Sequence, residues 1–245
     1  METWRLYERF IARLVSEQLS TAYVVSANAK VTGVISGIRR QVDVLIDYRF
    51  DTVNTNRIII DSKVRNRKID INDVESFRGM MDDVEAKHGY LIATSGFTKG
   101  AKVRAEELVS LRILPIEYLK SFSLADWPKC NGKHNCNGYV FWDGFPSFNL
   151  TLKNLDSGKL EFKQNIHYVG KCDVCYYFHV YCLNCKTTLS FDPNASCEDY
   201  GKQCQCKLPW FWITSVEQDS FNKKSAELHS VYGKELITTV SRMSI

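Results

Sequence analysis

Apolar residues recur at three- and four-residue steps through residues 2–20 (Leu6, Phe10, Ile11, Leu14, Val15), with charged residues between them. That spacing predicts an amphipathic helix. The period then shortens to two. Tyr23 to Ser36 is rich in β-branched residues and interrupted by Gly33, which predicts a strand ending in a turn at Gly37. Gln41 to Asp47 and Arg57 to Lys63 are apolar runs separated by a polar connection, Asp51 to Asn56, and predict a pair of hairpin strands. The helical period returns after Asp70, a predicted N-cap with Asp73 placed to complete a capping box. Ile71, Val74, Phe77, Met81 and Val84 form its apolar stripe, and Gly89 is the predicted stop. Tyr90 to Ala93 reads as a strand, Thr98 as the cap of a helix reaching about Ser110, and Ile113 to Tyr118 as a last strand.

The predicted order is therefore αβββαβαβ. A three-strand meander followed by alternating helix and strand gives an α/β fold with a mixed central sheet flanked by helices. The chain changes character after it. None of its nine cysteines precedes Cys130, and seven fall between Cys172 and Cys206. This divides the 245 residues into a cysteine-free domain, 1–124, and a small β-rich, cysteine-rich domain, 125–245. The net charge of +4 permits nucleic-acid binding without arguing for it. The first residues carry no apolar leader and no stretch is long enough to span a bilayer, so the expectation is a cytoplasmic protein without a membrane partner.

Chemistry concentrates on the two hairpin strands. Side chains alternate along a strand, so Asp61 and Lys63 share a face at the polar end of an apolar run, and Asp43 lies in the neighbouring strand. Two carboxylates and an amine converging on a sheet suit a divalent cation and phosphodiester hydrolysis. Glu8 joins them if the first helix packs across the sheet. An ordinary surface ion pair is the bland alternative, and for Asp-x-Lys alone it would be preferred. Asp47 shares a strand face with Asp43 but sits near the hairpin end, and Asp51 reads as a turn residue.

Gly37-Ile-Arg-Arg-Gln-Val-Asp-Val, Ile59-Ile-Asp-Ser-Lys63 and Ala93-Thr-Ser-Gly-Phe-Thr-Lys-Gly-Ala101 resemble, in order and spacing, the Mrr-like restriction endonucleases of the PD-(D/E)xK nuclease superfamily. The resemblance covers roughly residues 5–118. It implies a restriction-endonuclease-like core and a Mg²⁺-dependent DNA endonuclease in restriction or defence. Asp43, Asp61 and Lys63 match the metal-binding and catalytic positions, and Glu8 matches an acidic residue often found on the first helix. One departure stands out: Asp61 occupies a position where many superfamily members have Glu and many Mrr-like ones Gln. Beside such a site, Arg39, Arg40, Arg65, Arg67, Lys68, Thr98 and Lys99 become candidate contacts to the DNA backbone. Cutting both strands with one site per chain favours a homodimer.

Cys172-x-x-Cys175 and Cys182-x-x-Cys185 have the spacing of zinc-binding turns, and these four are the first choice for a structural Zn²⁺ site in a zinc-ribbon-like domain. Cys204-x-Cys206, Cys197 and the Cys130/Cys136 pair around His134 offer further donors, so two zinc sites drawn from all the clusters remain an alternative, as does pairing of Cys172/Cys175 with Cys204/Cys206. This half is expected to help grip or choose DNA. The competing reading is a nuclease-like fold that binds nucleic acid, or recruits a protein through its zinc module, without turnover.

Overall fold

The computed structural model describes residues 2–19, 23–48, 56–106, 108–124, 127–143, 150–153, 160–163, 167–183, 185–192, 210–218, 224–232 and 235–242. The chain divides into two compact units, Met1–Pro128 and Lys129–Ile245.

The first unit runs α1 (Thr3–Gln18), β1 (Tyr23–Thr32), β2 (Arg39–Tyr48), β3 (Ile58–Lys63), α2 (Ile71–Asp83), β4 (His88–Ala93), α3 (Lys99–Ala105) and β5 (Val109–Ile113), followed by a 3-10 turn at Ile116–Ser121. The order is the αβββαβαβ read from the sequence. The five strands form one sheet in sequential order, β1-β2-β3-β4-β5. The first three are antiparallel and the last two join in parallel, so the sheet is mixed. Helix α1 packs on the first three strands, while α2 packs on β4 and α3. Tyr7, Ile11 and Ala12 of α1 are completely or almost completely buried, and the Tyr7 hydroxyl donates to the Leu114 carbonyl at 2.6 Å. Val42, Ile59, Val74, Phe77, Met81 and Leu91 belong to the main core, as a sheet covered by helices requires.

Asp70 caps α2 as its position predicts, accepting from the N–H groups of Asn72 and Asp73, while Asp73 returns a bond to the Asp70 N–H. Three local expectations are corrected. Ile71, in the first turn of α2, is exposed. Gly89 lies in β4 rather than ending α2; a Cβ there would collide with Met81 and Phe77, and the left-handed turn at the helix end is made by Glu85 instead (φ 57°). Helix α3 ends at Ala105, after which Glu106 takes a positive φ of 30°, and the last strand lies at Val109–Ile113 rather than Ile113–Tyr118, where Ile116–Ser121 forms the 3-10 turn. Within β5, Val109 is buried and Leu111 packs partly against the core, two residues apart, so the strand period wins over the helical one.

Among the described residues, the elements of the second unit are strands: β6 (Val140–Asp143), β7 (Leu150–Lys153), β8 (Leu160–Lys163), β9 (His167–Cys172), β10 (Phe178–Cys182), β11 (Thr188–Phe191), β12 (Trp210–Gln218), β13 (Lys224–Tyr232) and β14 (Glu235–Arg242). They form a four-stranded sheet ordered β11-β10-β9-β6, a β12-β13-β14 meander and a β7-β8 ribbon. Val180 and Phe191 anchor a small core with Val169, Phe178 and Leu189.

Candidate active site and cysteine metal centre

Antiparallel pairing of Val44 with Ile60 places the next residues along, Asp43 and Asp61, opposite each other. Their surroundings differ. The Asp43 carboxylate accepts from both the N–H and the hydroxyl of Ser62, each at 2.8 Å. Asp61 is buried to 9 % exposure, and its carboxylate lies 2.5 Å from the Lys63 ammonium. Helix α1 brings Glu8 into the same field. Burial raises the Glu8 carboxyl to about 8, and the negative charges of Asp43 and Asp61 add to the shift. Asp43 is raised to about 6, first by burial and then by Asp61, against the opposing pull of Ser62 and Lys63. Asp61 is raised by burial although Lys63 pulls it down.

Several half-buried carboxylates that resist ionising together make a natural cation site, because a positive ion removes both the repulsion and part of the desolvation cost. The donors are oxygens. Two carboxylates completed by water and phosphate oxygens are what Mg²⁺ takes in phosphoryl chemistry. The residues present therefore fit a hard divalent cation, with Asp43 and Asp61 as the natural ligands and Glu8 behind them.

The basic candidates separate on inspection. Arg40 is bound to Asp83 at 2.5 Å, Arg65 to Asp73 at 2.6 Å, and Arg67 to Asp70 at 2.8 Å. Arg39, Lys68 and Lys99 are exposed. The Thr98 hydroxyl accepts from the Ala101 N–H and so caps α3. The segment around Thr94 braces the chain leaving β3: the Thr94 hydroxyl bonds the carbonyl and N–H of Arg65, and Ser95 donates to the Arg67 carbonyl at 2.5 Å. Asp47 forms a two-point pair with Arg57 at 2.8 and 3.2 Å. Asp51 lies outside the described residues. Ser62 escaped the sequence reading, although the register opposing Asp43 to Asp61 puts its N–H within reach. The Arg65–Asp73 pair beside Asp61 had no sequence signal, since its members lie on different elements.

Residues 2–122 match the family model Mrr_cat, described as a restriction endonuclease. This part of the chain carries the domain which that model describes. Two solved structures are similar to the chain: the protein of unknown function AF1548 (17 % identity, TM-score 0.39, covering 52 % of this chain and 72 % of that one) and a repair endonuclease from Pyrococcus abyssi (22 % identity, TM-score 0.31, covering 44 % of this chain and 46 % of that one). No curated protein matches. The fold, the matched family and the strand-borne acids all fall within the Mrr_cat domain. No described helix is long and apolar enough to cross a membrane.

The second unit holds a thiol cluster. The sulfurs of Cys130, Cys136, Cys172 and Cys175 all lie within 4.8 Å of one another, with Cys130 and Cys175 at 3.5 Å and Cys136 and Cys172 at 3.7 Å. A tetrahedral zinc with Zn–S of about 2.3 Å requires sulfurs about 3.8 Å apart, so the donor set fits Zn²⁺. N–H groups of Gly132, Gly138 and Val174 point at three of the sulfurs, each at 3.4 Å, which favours thiolates. Burial pushes the Cys175 thiol up to about 11 and Cys172 further, so a cation's charge is needed to hold all four deprotonated. Asp173 locks the cluster by accepting the Tyr139 N–H at 2.8 Å.

The grouping differs from the first-choice quartet: Cys172 and Cys175 gather with Cys130 and Cys136, not with Cys182 and Cys185. The reason is topological. Cys172–Cys175 turns from β9 into β10, whereas Cys182–Cys185 turns from β10 into β11, so strand β10 holds the two turns at its opposite ends. The second turn nonetheless repeats the first. In each, the first cysteine's carbonyl accepts from the residue four places on (Tyr176, Lys186), its N–H reaches the carbonyl five places on (Tyr177, Thr187), and the residue after the second cysteine has a φ near 60° (63° and 60°). Cys197, Cys204 and Cys206 lie outside the described residues, as does the side chain of His167. His134 is exposed and stands apart from the four thiols. His179 is fully buried, with Nδ1 2.9 Å from the Tyr177 carbonyl.

Proposed function

We propose that the Mrr_cat domain hydrolyses DNA phosphodiester bonds with Mg²⁺ bound by Asp43 and Asp61, in restriction or a related defence. The observation that carries this reading is the convergence of Asp43, Asp61, Lys63 and Glu8 on one end of the sheet. When bound, the cation supplies Lewis acidity to a phosphoryl oxygen and lowers the pKa of an attacking water. The chain's own groups do the rest. Asp43, fixed by its two bonds from Ser62, is held in one orientation as a ligand. Lys63, placed against Asp61, offers positive charge to the phosphate as negative charge develops there. Glu8 stays protonated to about pH 8 and so adds little negative charge at the phosphate until a cation arrives. Arg39, Lys68 and Lys99 provide exposed charge for the DNA backbone. Arg40, Arg65 and Arg67 work mainly by holding the surrounding loops.

In the second unit, zinc on Cys130, Cys136, Cys172 and Cys175 is structural, because four thiolates leave no open position for a substrate. The repeated turn at Cys182 and Cys185 supplies donors for a second zinc, for which Cys204 and Cys206 are the sequence candidates. The zinc unit aids recognition of DNA, and two copies of the chain cut the two strands.

Plasmid cleavage tests the proposal. Linear or nicked product is expected with Mg²⁺, none with EDTA, and none with Lys63→Ala, on methylated or unmethylated plasmid. Undiminished cutting by Lys63→Ala would remove the assigned chemistry.

A further inference from the structure

The turn between β1 and β2, residues 33–38, presents an unusual tip. Val34, Ile35 and Ile38 are 60 %, 75 % and 60 % exposed, among the most exposed large apolar side chains described. Exposed apolar side chains on a loose loop would mean little, but this turn is fixed. Its Gly33 N–H bonds the Ile38 carbonyl, Gly37 closes back on Gly33 with a φ of 66°, and Val34 donates to the Asp83 carbonyl at 2.7 Å. The Asp83 carboxylate, at the end of α2, accepts from the N–H groups of Ile35 and Ser36, from the Ser36 hydroxyl and from Arg40. These bonds hold that carboxyl far below the usual range, led by the Ser36 hydroxyl. Asp83 thus staples the turn from beneath and leaves its apolar tip outside.

Position and charge say what meets that tip. Strand β2 leads straight from the turn to Asp43, and β3 reaches Asp61 and Lys63 as it runs toward the same end of the sheet. Asp43 lies five positions beyond Ile38, a reach of about 17 Å along a strand. From Tyr23 to Val42 the chain carries Lys30, Arg39 and Arg40 and no acidic residue. A preorganised apolar tip, flanked by positive charge and set beside a phosphodiester-cleaving centre, suits a DNA duplex better than a neutral or basic protein surface. Apolar side chains such as Ile that enter the minor groove and unstack a base step are an established way to distort DNA.

We infer that Val34 and Ile35 form a wedge that presses into a flanking step, about five base pairs from the scissile phosphate, and distorts the duplex for cutting. The inference rests on the nuclease reading above. Because the tip is exposed, a Val34→Ser/Ile35→Ser protein keeps its fold, which its melting temperature checks. On a duplex carrying a mapped cut site, this variant cuts about tenfold or more slowly, since unstacking costs a few kcal/mol and each 1.4 kcal/mol is tenfold. With two mismatched pairs at the flanking step, where the bases are already unstacked, its rate returns to near the parent's. Equal loss on both substrates, or no loss on the paired one, overturns the wedge. So does a fall from dimer to monomer in sedimentation, which would make the tip a contact between copies. Binding separates this from catalysis: 2-aminopurine at the flanking step brightens with Lys63→Ala protein that retains the tip and stays dark with the serine variant. If the parent binds and brightens the probe but never cuts, the nuclease reading falls and the wedge stands.

Discussion

The Asp43 carboxylate takes both the N–H and the hydroxyl of Ser62 at 2.8 Å, so the residue between Asp61 and Lys63 orients the acid on the neighbouring strand. Ser62 also opposes the upward shift of Asp43. Ser62→Ala keeps the N–H bond and loses the other. The acid limb of the cleavage pH profile is expected to move upward, with a several-fold drop in rate at pH 6 and little change at pH 8. An unmoved profile would show that Ser62 does not tune the acid.

Asp61→Asn and Lys63→Ala address the centre directly. Each is expected to lower cleavage by about a hundredfold or more, the scale of losing one electrostatic stabiliser of a developing charge. Circular dichroism, and DNA binding measured in EDTA, should match the parent. Loss of binding along with cutting would assign these residues to structure instead.

Glu8 and Asp43 set a pH window. Both carboxyls are raised in the folded state, to about 8 and about 6, from ordinary values of 4.5 and 3.8. Between those limits the folded domain keeps protons that an unfolded chain has released. The contribution of these two groups to metal-free stability is therefore fully present below about pH 4 and is lost as pH rises toward 8. Glu8→Gln, neutral at every pH, should raise the metal-free melting temperature at pH 8 and leave it nearly unchanged at pH 4. Mg²⁺ should stabilise the parent most at pH 8. A gain from Glu8→Gln that is the same at both pH values would contradict the burial of a shared charge.

Zinc on the four clustered thiolates is expected to support the second unit. Metal-bound thiolates contribute folding free energy, about 10–16 kcal/mol in small zinc domains near neutral pH. A strong chelator, or Cys136→Ser, should expose amides of β6, β9 and β10 to hydrogen exchange while β2 to β4 stay protected. Affinity should fall with acidification, since the thiols must lose protons to bind. Metal analysis should give two zinc ions per chain, falling to one with Cys185→Ser. One zinc per chain, unaffected by that change, would leave the second turn without a metal.

How far the chain announced all this depended on whether partners were local. The αβββαβαβ order was legible because each element carries its own period, and Asp70 with Asp73 marked the start of α2 within four residues. Asp61 and Lys63 were legible for the same reason. The Asp83 staple was not, because a helix end and a hairpin turn more than forty residues apart leave no joint pattern. Which cysteines gather was not legible, on similar grounds. Two neighbouring Cys-x-x-Cys turns look like partners in sequence, yet the strand between them carries them apart, and Cys172 and Cys175 meet a pair more than thirty residues upstream.

Strand β10 works as a ruler between those two turns, and rulers with a period of two tolerate only even changes. Inserting one residue between Val180 and Tyr181 would turn the sulfur of Cys182 to the other side of the sheet relative to Cys172, whereas inserting two would lengthen the spacing and keep its sense. Metal content across such a pair of insertions should drop for the single residue and recover for the double, making parity rather than length the property this segment must preserve.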